Sequence, residues 1–532
     1  MSIIKSLSVR NFKAIGDRGA TVALAPVTLL FGPNSAGKSS IIQSLHYANE
    51  ILNRDNPDAD RTLLGGDAIE LGGFRNVLHQ RELSREMTLT FELDLSKTDL
   101  PTYRVGYVTS QGAMGDWSPV FDAVSVSLTI VWSPLLSRPC VHAVKVEYDN
   151  NLWISTECQL DGKNPQLYLT ATIKSADDSS YPEVSNKSFL DEIGAVYASI
   201  VSDLYWDTDT QNGRLGIASA PVGGLRDALP VRAQPLDFLT QFWAEGSESP
   251  DRREFIEGMS SLVVGPVDIL REELAKLVYV GPLREVPARH SQPARSPDPA
   301  RWSSGLAAWD LLAADPNLLI ERTNRWLTER DRFNSGYRIE SERYKEVRAD
   351  SPLGAALAAG ELLDTEQARG LYEQLPEHRR VRLIDDNTGL ALSPQDLGIG
   401  LSQTIPIIVA SCHASDTLLV VEQPELHIHP AMQVEMGDLL IESARKRSVT
   451  FLVETHSEHL LLRILRRIRE TSDGEVPPGV PDCHKDDVAV YFIEPDLDNK
   501  DARVTRLRIA DDGAFLDRWP RGFFEERGEE LF

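Results

Sequence analysis

The apolar run Val27-Thr-Leu-Leu-Phe31 leads straight into Gly32-Pro33-Asn34-Ser35-Ala36-Gly37-Lys38-Ser39, and SSIIQSLHYANEIL follows with the 3.6-residue apolar spacing of a helix. Buried strand, glycine-framed loop and helix in this order fix one βα unit near the start of the chain. Small residues between Gly32 and Gly37 let consecutive backbone N–H groups point at phosphate oxygens. Lys38 supplies a cation for the β- and γ-phosphates, and the Ser39 hydroxyl is placed to ligate Mg2+. A nucleotide with Mg2+, held by Gly32 through Ser40, is the expectation; ATP is the expected nucleotide.

Such a site needs a carboxylate at the tip of a second buried strand. Thr417-Leu-Leu-Val-Val-Glu422 offers one, which makes Glu422 the expected metal partner of Ser39. A third segment, the strand VTFLVE followed by Thr455-His456-Ser457, puts a histidine just past a strand end, where it can sense a γ-phosphate. The same residues also read as a helix N-cap formed by Thr455 or Ser457, with His456 incidental. A fourth, Gly398-Ile399-Gly400-Leu401-Ser402-Gln403, places glycines and a serine at the start of an apolar helix, an anion-binding arrangement that an ordinary capped helix shares.

At 532 residues the chain is long for a single core, so two or more lobes are expected. Residues 85–175 alternate like an antiparallel β region, Ser188 to Leu277 is helical in texture, and residues 306–345 are helical again. Pro287 to Arg301 reads as a mobile loop, and the last third alternates strand and helix, implying a mostly parallel sheet. Acidic residues number 80 against 55 basic, a formal charge of −25, which opposes sequence-blind adhesion to DNA or acidic membranes. No run of about 18 apolar residues suggests a membrane span. The first residues alternate like a strand and do not read as a signal peptide. Cys140, Cys158, Cys412 and Cys483 show no CxxC spacing, so a disulfide framework is not expected and a cytoplasmic setting fits.

In this order and spacing the four motifs resemble the ATP-binding-cassette heads of the SMC, RecF and OLD (overcoming lysogenization defect) ATPases. A narrower likeness, to a bacterial ATPase group with a short C-terminal domain of unknown function, rests on VGPLREVPAR (280–289), DLGIGLSQTIPI (396–407), VEQPELHIHP (421–430) and DGAFLDRWPRGFFEERGEELF (512–532). The resemblance implies an α/β fold: a split ABC-type P-loop ATPase head with a mixed sheet and flanking helices, plus an inserted β-rich and helical middle region. Residues 1–95 would form the first part of the head, 96–276 the insertion facing a partner, 277–380 a helical linker, and 381–532 the second part with a short extension.

The resemblance also implies roles. Lys13, in VRNFKAIGD, would lie near the nucleotide, and His456 would be the switch histidine. Gly400 and Ser402 would belong to the signature motif, which completes the site of a second copy in a homodimer or higher oligomer. ATP would join the two heads, and its hydrolysis or release would part them. Relatives place a second carboxylate directly after the strand-tip acid, to polarise the attacking water. Here that position is Gln423, which can orient water but cannot take its proton; Glu425, two residues on, is a candidate for the missing carboxylate. Glu425, His427 and His429 could alternatively hold zinc, given a further ligand and an open position. Arg284 and Arg289 are candidates for the nucleotide, the partner copy or structural ion pairs. VAVYFIEP (488–495) resembles the opening of a Toprim nuclease domain, but only 37 residues follow Pro495 and no nuclease site is expected.

The function so implied is a slow ATPase acting as an ATP-dependent dimer switch on a separate protein effector, such as a nuclease in a bacterial defence module. The alternatives are an ATP-bound scaffold with negligible turnover and a RecF-like ATPase that handles DNA in repair.

Overall fold

The computed structural model describes residues 1–104, 121–148, 152–172, 214–238, 250–289, 293–294, 298–314, 317–360, 364–496 and 498–519. β1 (Ile4–Arg10), β2 (Ala20–Ala23) and β3 (Val27–Phe31) lead into α1 (Lys38–Arg54), the single turn α2 (Phe74–Val77) and β4 (Met87–Asp94). Next come β5 (Ala123–Ser133), β6 (Arg138–Tyr148), β7 (Leu152–Glu157), β8 (Gln166–Thr172) and β9 (Arg214–Gly223). The short strands β10 (Leu225–Arg226), β11 (Leu229–Pro230) and β12 (Asp237–Phe238) precede α3 (Pro250–Ala275) and β13 (Val278–Val280). A connecting region holds α4 (Leu306–Ala314), α5 (Leu318–Thr328), β14 (Tyr337–Lys345), α6 (Pro352–Ala359), α7 (Thr365–Glu373), β15 (Glu377–Asp385) and β16 (Ala391–Leu392). The chain continues with α8 (Ile399–His413), β17 (Leu418–Glu422), α9 (Pro430–Arg447), β18 (Thr450–Glu454), α10 (Glu458–Asp473), β19 (Val488–Asp496) and β20 (Asp501–Leu507).

Two sheets dominate this mixed α/β fold. One runs β13-β17-β18-β3-β19-β20, parallel except for β20 at its edge. The other is antiparallel throughout, in the order β12-β9-β8-β7-β6-β5-β4-β1-β2. The parallel strands read as unbroken apolar runs because both of their faces are covered. In β17, Leu418 and Val420 enter the core shared with the antiparallel sheet, while Leu419 and Val421 enter the core beneath α8, α9 and α10. β18 divides in the same way, with Leu452 on one side and Phe451 and Val453 on the other.

Two expectations require correction. Within the stretch read as helical from Ser188 to Leu277, Arg214–Gly223 is a strand paired with β8, and only Pro250–Ala275 is a long helix; 188–213 and 239–249 lie outside the described residues. Pairing with a waiting strand outweighs local texture there. Within 306–345, Tyr337–Lys345 is likewise a strand, because it pairs along its whole length with β15 and buries Ile339. The expected mobile loop at 287–301 lies partly outside the described residues, and its end, Pro299–Trp302, is a 3-10 turn. The division drawn after residue 95 falls within one continuous sheet, since β4 pairs with β5 from Met87 to Asp94. Of the terminal motif at 512–532, residues 520–532 lie outside the described residues. Among the described residues no helix is long and apolar enough to cross a membrane.

Candidate nucleotide site

Parallel pairing brings the ends of β3, β17 and β18 to one edge of the sheet. The register sets Glu422 beside Glu454, and Glu454 beside Leu30. The loops that follow these strands therefore open on the same side, where open α/β sheets hold their ligands. Gly32 begins the first loop at φ 147°, and a Cβ there would lie 2.0 Å from the Ile493 carbonyl oxygen, so only glycine fits. Pro33 is half-buried, Asn34 and Ser35 are exposed at the crest, and Ala36 is buried. Gly37 precedes α1, and the Ser40 N–H donates to its carbonyl at 3.0 Å.

Lys38 is 3% exposed and donates to the Gly32 and Pro33 carbonyls at 3.0 Å each. Its ammonium lies 3.9 Å from Glu454 Oε1. Burial lowers the Lys38 pKa, against the pull of Glu454, Glu425 and Glu422. The Ser39 hydroxyl donates to Glu454 Oε2 at 2.8 Å. Sequence reading had put Glu422 opposite Ser39; the carboxylate that Ser39 touches belongs to the neighbouring strand.

Glu422 and Glu454 are both buried. Burial, helped by the nearby Glu454, pushes the Glu422 carboxyl up to about 7, even though the Tyr279 hydroxyl donates to its Oε1 at 3.0 Å. His46 of α1 meets the Tyr279 ring edge-on at 4.7 Å. Burial also raises Glu454. Two desolvated carboxylates on adjacent strands, with one lysine beside them, favour either a proton or a bound cation.

The following loops are cross-tied. Gln423 takes a left-handed φ of 46°, and its N–H donates to the Glu454 carbonyl at 2.7 Å. Glu425 accepts from the Thr455 hydroxyl and from the His456 N–H, both at 2.7 Å. Burial, and then Lys38, lower the His456 pKa, which favours a neutral imidazole. Ser457 is the N-cap of α10, accepting from Leu460 N at 3.0 Å, so the capping role falls to Ser457 and not to Thr455.

The remaining sequence candidates fall around this centre. Lys13 (φ 48°) donates from Nζ to Gln43 Oε1 on α1 at 2.6 Å, and burial lowers its pKa. The Ser402 hydroxyl is turned back to the Ile399 carbonyl at 2.8 Å. A Cβ on Gly400 would come within 2.9 Å of the His427 carbonyl oxygen, so the start of α8 packs on the loop after β17 of its own chain. His427 is exposed, and His429 caps α9 through Nδ1, which accepts from Ala431 N at 3.2 Å. Among the described residues no group of three His, Cys, Asp or Glu is placed to hold a metal ion, and the suggested zinc trio is not drawn together. Arg289 pairs with Asp396 at the surface. Arg284 is 3% exposed and donates from Nη2 to the Glu422 and Gln423 carbonyls, at 2.5 and 3.1 Å.

Sequence reasoning passed over Glu454 and Tyr279, and offered Thr455 only as a helix cap. For Glu454 a signal existed: TFLVE repeats the pattern of LLVVE, an apolar strand ending in an acid. Tyr279 is set by a three-residue strand too short to announce itself.

Residues 271–463 match the family described as "AAA domain, putative AbiEii toxin, Type IV TA system", and residues 6–106 match one described as "AAA domain". Lys13 and the loop from Gly32 to Ser40 lie in one; Tyr279, Arg284, Gly400, Ser402, Glu422 to Glu425, Glu454 and His456 lie in the other. No curated protein matches the chain. Solved structures that align include an SMC head bound to the C-terminal winged-helix domain of ScpA, at 8% identity and TM-score 0.38 over 95% of this chain and 98% of that one. An SMC head with an extended coiled coil, bound to the C-terminal domain of ScpA from Pyrococcus furiosus, aligns at 9% identity and TM-score 0.37, over 96% and 97%. The SMC head domain from Thermotoga maritima aligns at 9% identity and TM-score 0.34, over 96% and 100%. These superpositions are loose, and the functional reading does not rest on them.

Proposed function

We propose that this chain is a slow ATPase that binds ATP with Mg2+ and pairs with a second copy while ATP is bound. The observation that carries this reading is the convergence of Lys38, Ser39, Glu422 and Glu454 beneath a glycine-framed loop. The donor set fits Mg2+: a hydroxyl and two carboxylates whose burial leaves them short of positive charge. Ser39, Glu422 and Glu454 would hold the ion, which when bound supplies charge stabilisation at the phosphates.

The chain's own groups divide the remaining work. Loop N–H groups cradle phosphate oxygens, and Lys38 exchanges its two carbonyl partners for them. His456, neutral and close to Lys38, is suited to sensing the terminal phosphate. Gln423 orients the attacking water without accepting its proton, which makes turnover slow. Glu425 positions the Thr455–His456 turn that it already bonds.

Pairing is supported by the exposure of two segments, the loop crest and the head of α8. Asn34 and Ser35 are exposed, and Ile399, at the head of α8, is an apolar residue 59% exposed. Gly400 and Ser402 of one copy would meet the nucleotide of the other, with the Ser402 hydroxyl leaving Ile399 to do so. The family matched by residues 271–463 is described as "AAA domain, putative AbiEii toxin, Type IV TA system", which is compatible with a defence-type module. A second reading, an ATP-bound scaffold with negligible turnover, is favoured by Gln423 alone. Direct action on DNA is opposed by the charge of −25.

ATP turnover of wild type and Lys38→Ala, with and without double-stranded DNA, separates these readings. Slow turnover that Lys38→Ala abolishes and DNA leaves unchanged is expected. Binding without turnover would favour the scaffold, and stimulation by DNA would favour repair.

A further inference from the structure

Arg284 bridges the start of α8 and the tip of β17, two parts of the site that also touch where Gly400 packs on the His427 carbonyl. Its backbone is held on both sides by one side chain of α8: Gln403 Oε1 accepts from Arg284 N at 3.0 Å, and Gln403 Nε2 donates to Arg284 O at 2.5 Å. Gln403 is buried and directly follows Ser402. At its other end, the guanidinium holds the last carbonyl of β17 and that of Gln423. Gln423 itself is in the left-handed region, where a residue with a side chain stays only if its neighbours hold it. Its other backbone ties are the N–H bond to Glu454, the residue that contacts Ser39, and the bond its carbonyl accepts from Leu426 N at 3.1 Å.

The rest of the guanidinium is unusual. Nε and Nη1 of Arg284 are buried and have no hydrogen-bond partner among the described residues. Unsatisfied buried donors on a charged group are costly. A guanidinium used only as a strut would be cheaper as an apolar side chain. Two unused nitrogens, carrying three N–H groups beside Glu422 and Glu425, suit a group that forms a second set of bonds when the strand tip rearranges.

The geometry points to Arg284 as a positioning residue: it transmits the placement of the Gly400–Ser402 helix start, through Gln403, to Gln423 at the water-facing position. This deepens the proposed function and rests on it, because α8 would meet the partner copy's nucleotide. Engagement of one copy's α8 would then set the hydrolytic geometry of that same copy's own site. The two sites of a pair would fire in concert.

The test uses full-length Arg284→Lys, Gln403→Ala and the double variant. Each single change is expected to lower kcat about hundredfold by misplacing Gln423 while KM stays within about twofold. The double variant is expected to be no slower than Arg284→Lys, since both act along one path. Additive losses, or an increase in KM that accounts for the defect, would overturn the relay. Hydrogen exchange on nucleotide-free protein gives a readout independent of turnover. Gln403→Ala is expected to speed exchange in a peptide covering 418–430 and to leave 458–473 at the wild-type rate. Unchanged exchange in 418–430 would refute the relay even if wild type hydrolyses ATP. A wild type that never hydrolyses would remove the proposed ATPase while exchange still decides the relay.

Discussion

The Ser39 hydroxyl donates to Glu454, not to Glu422, and this gives the two acids different tasks. Glu454 orients the hydroxyl that would ligate Mg2+, so it acts through a ligand as well as by its own charge. Glu454→Gln is expected to weaken Mg2+ dependence about ten- to hundredfold, as loss of an orienting partner does. Titrating Mg2+ in the turnover assay measures this, and an unchanged half-saturation would contradict it. Gln423→Glu is expected to raise kcat by restoring a carboxylate that can take a proton; an unchanged or lower kcat with binding intact would remove Gln423 from the water-facing position. Glu422 predicts a pH effect on the empty protein. Its folded pKa, about 7, lies above the ordinary 4.5, so the unfolded chain loses its proton first as pH rises. Stability is therefore full below about pH 4.5 and falls toward pH 7, by at most about 3 kcal/mol from this residue. Glu422→Gln should thus raise the Tm of nucleotide-free protein relative to wild type more at pH 8 than at pH 5. Equal shifts at both would mean that Glu422 is not desolvated. Lys38, Ser39, Glu422 and His456 were legible in the sequence because each follows a buried strand. Arg284 was legible only as a candidate, since its partners lie 119 and 138 residues away.

At the scale of elements, the helices behind the site are locked by charge. Asp438 of α9 accepts from Arg467 of α10 through both oxygens, at 2.8 and 2.7 Å, and from Arg463 at 2.6 Å. Arg467 is 6% exposed, so removing the shared carboxylate leaves a buried cation with Glu470 alone. Asp438→Ala is expected to cost about 3 kcal/mol or more, seen as a lower urea midpoint; a neutral result would show that Glu435 and Glu470 suffice. Because α10 begins at the Thr455–Ser457 turn, the same change should also weaken ATP binding. The parallel strands were readable as five-residue apolar runs with both faces covered. β9 and β14 were not, because polar or small residues dominate them and their conformation is imposed by β8 and β15.

At the scale of the whole molecule, the antiparallel sheet runs from β2 at one edge to β12 at the other. The strands of the middle region thereby share a backbone ladder with β1 and β4, which would give the proposed nucleotide-driven change a stiff path outward. Sequence patterning could announce strands in both places but could not show that they join, because register is a property of pairs. The central claim remains that two copies complete each other's sites. Light-scattering mass with and without Mg2+ and ATP, for wild type, Lys38→Ala and Ser402→Arg, tests it most directly, with ATP binding measured in parallel. The account predicts that wild type doubles in mass with ATP, that Lys38→Ala does not, and that Ser402→Arg binds ATP yet stays single. A wild-type mass indifferent to ATP, or a Ser402→Arg protein that pairs as wild type does, would contradict it.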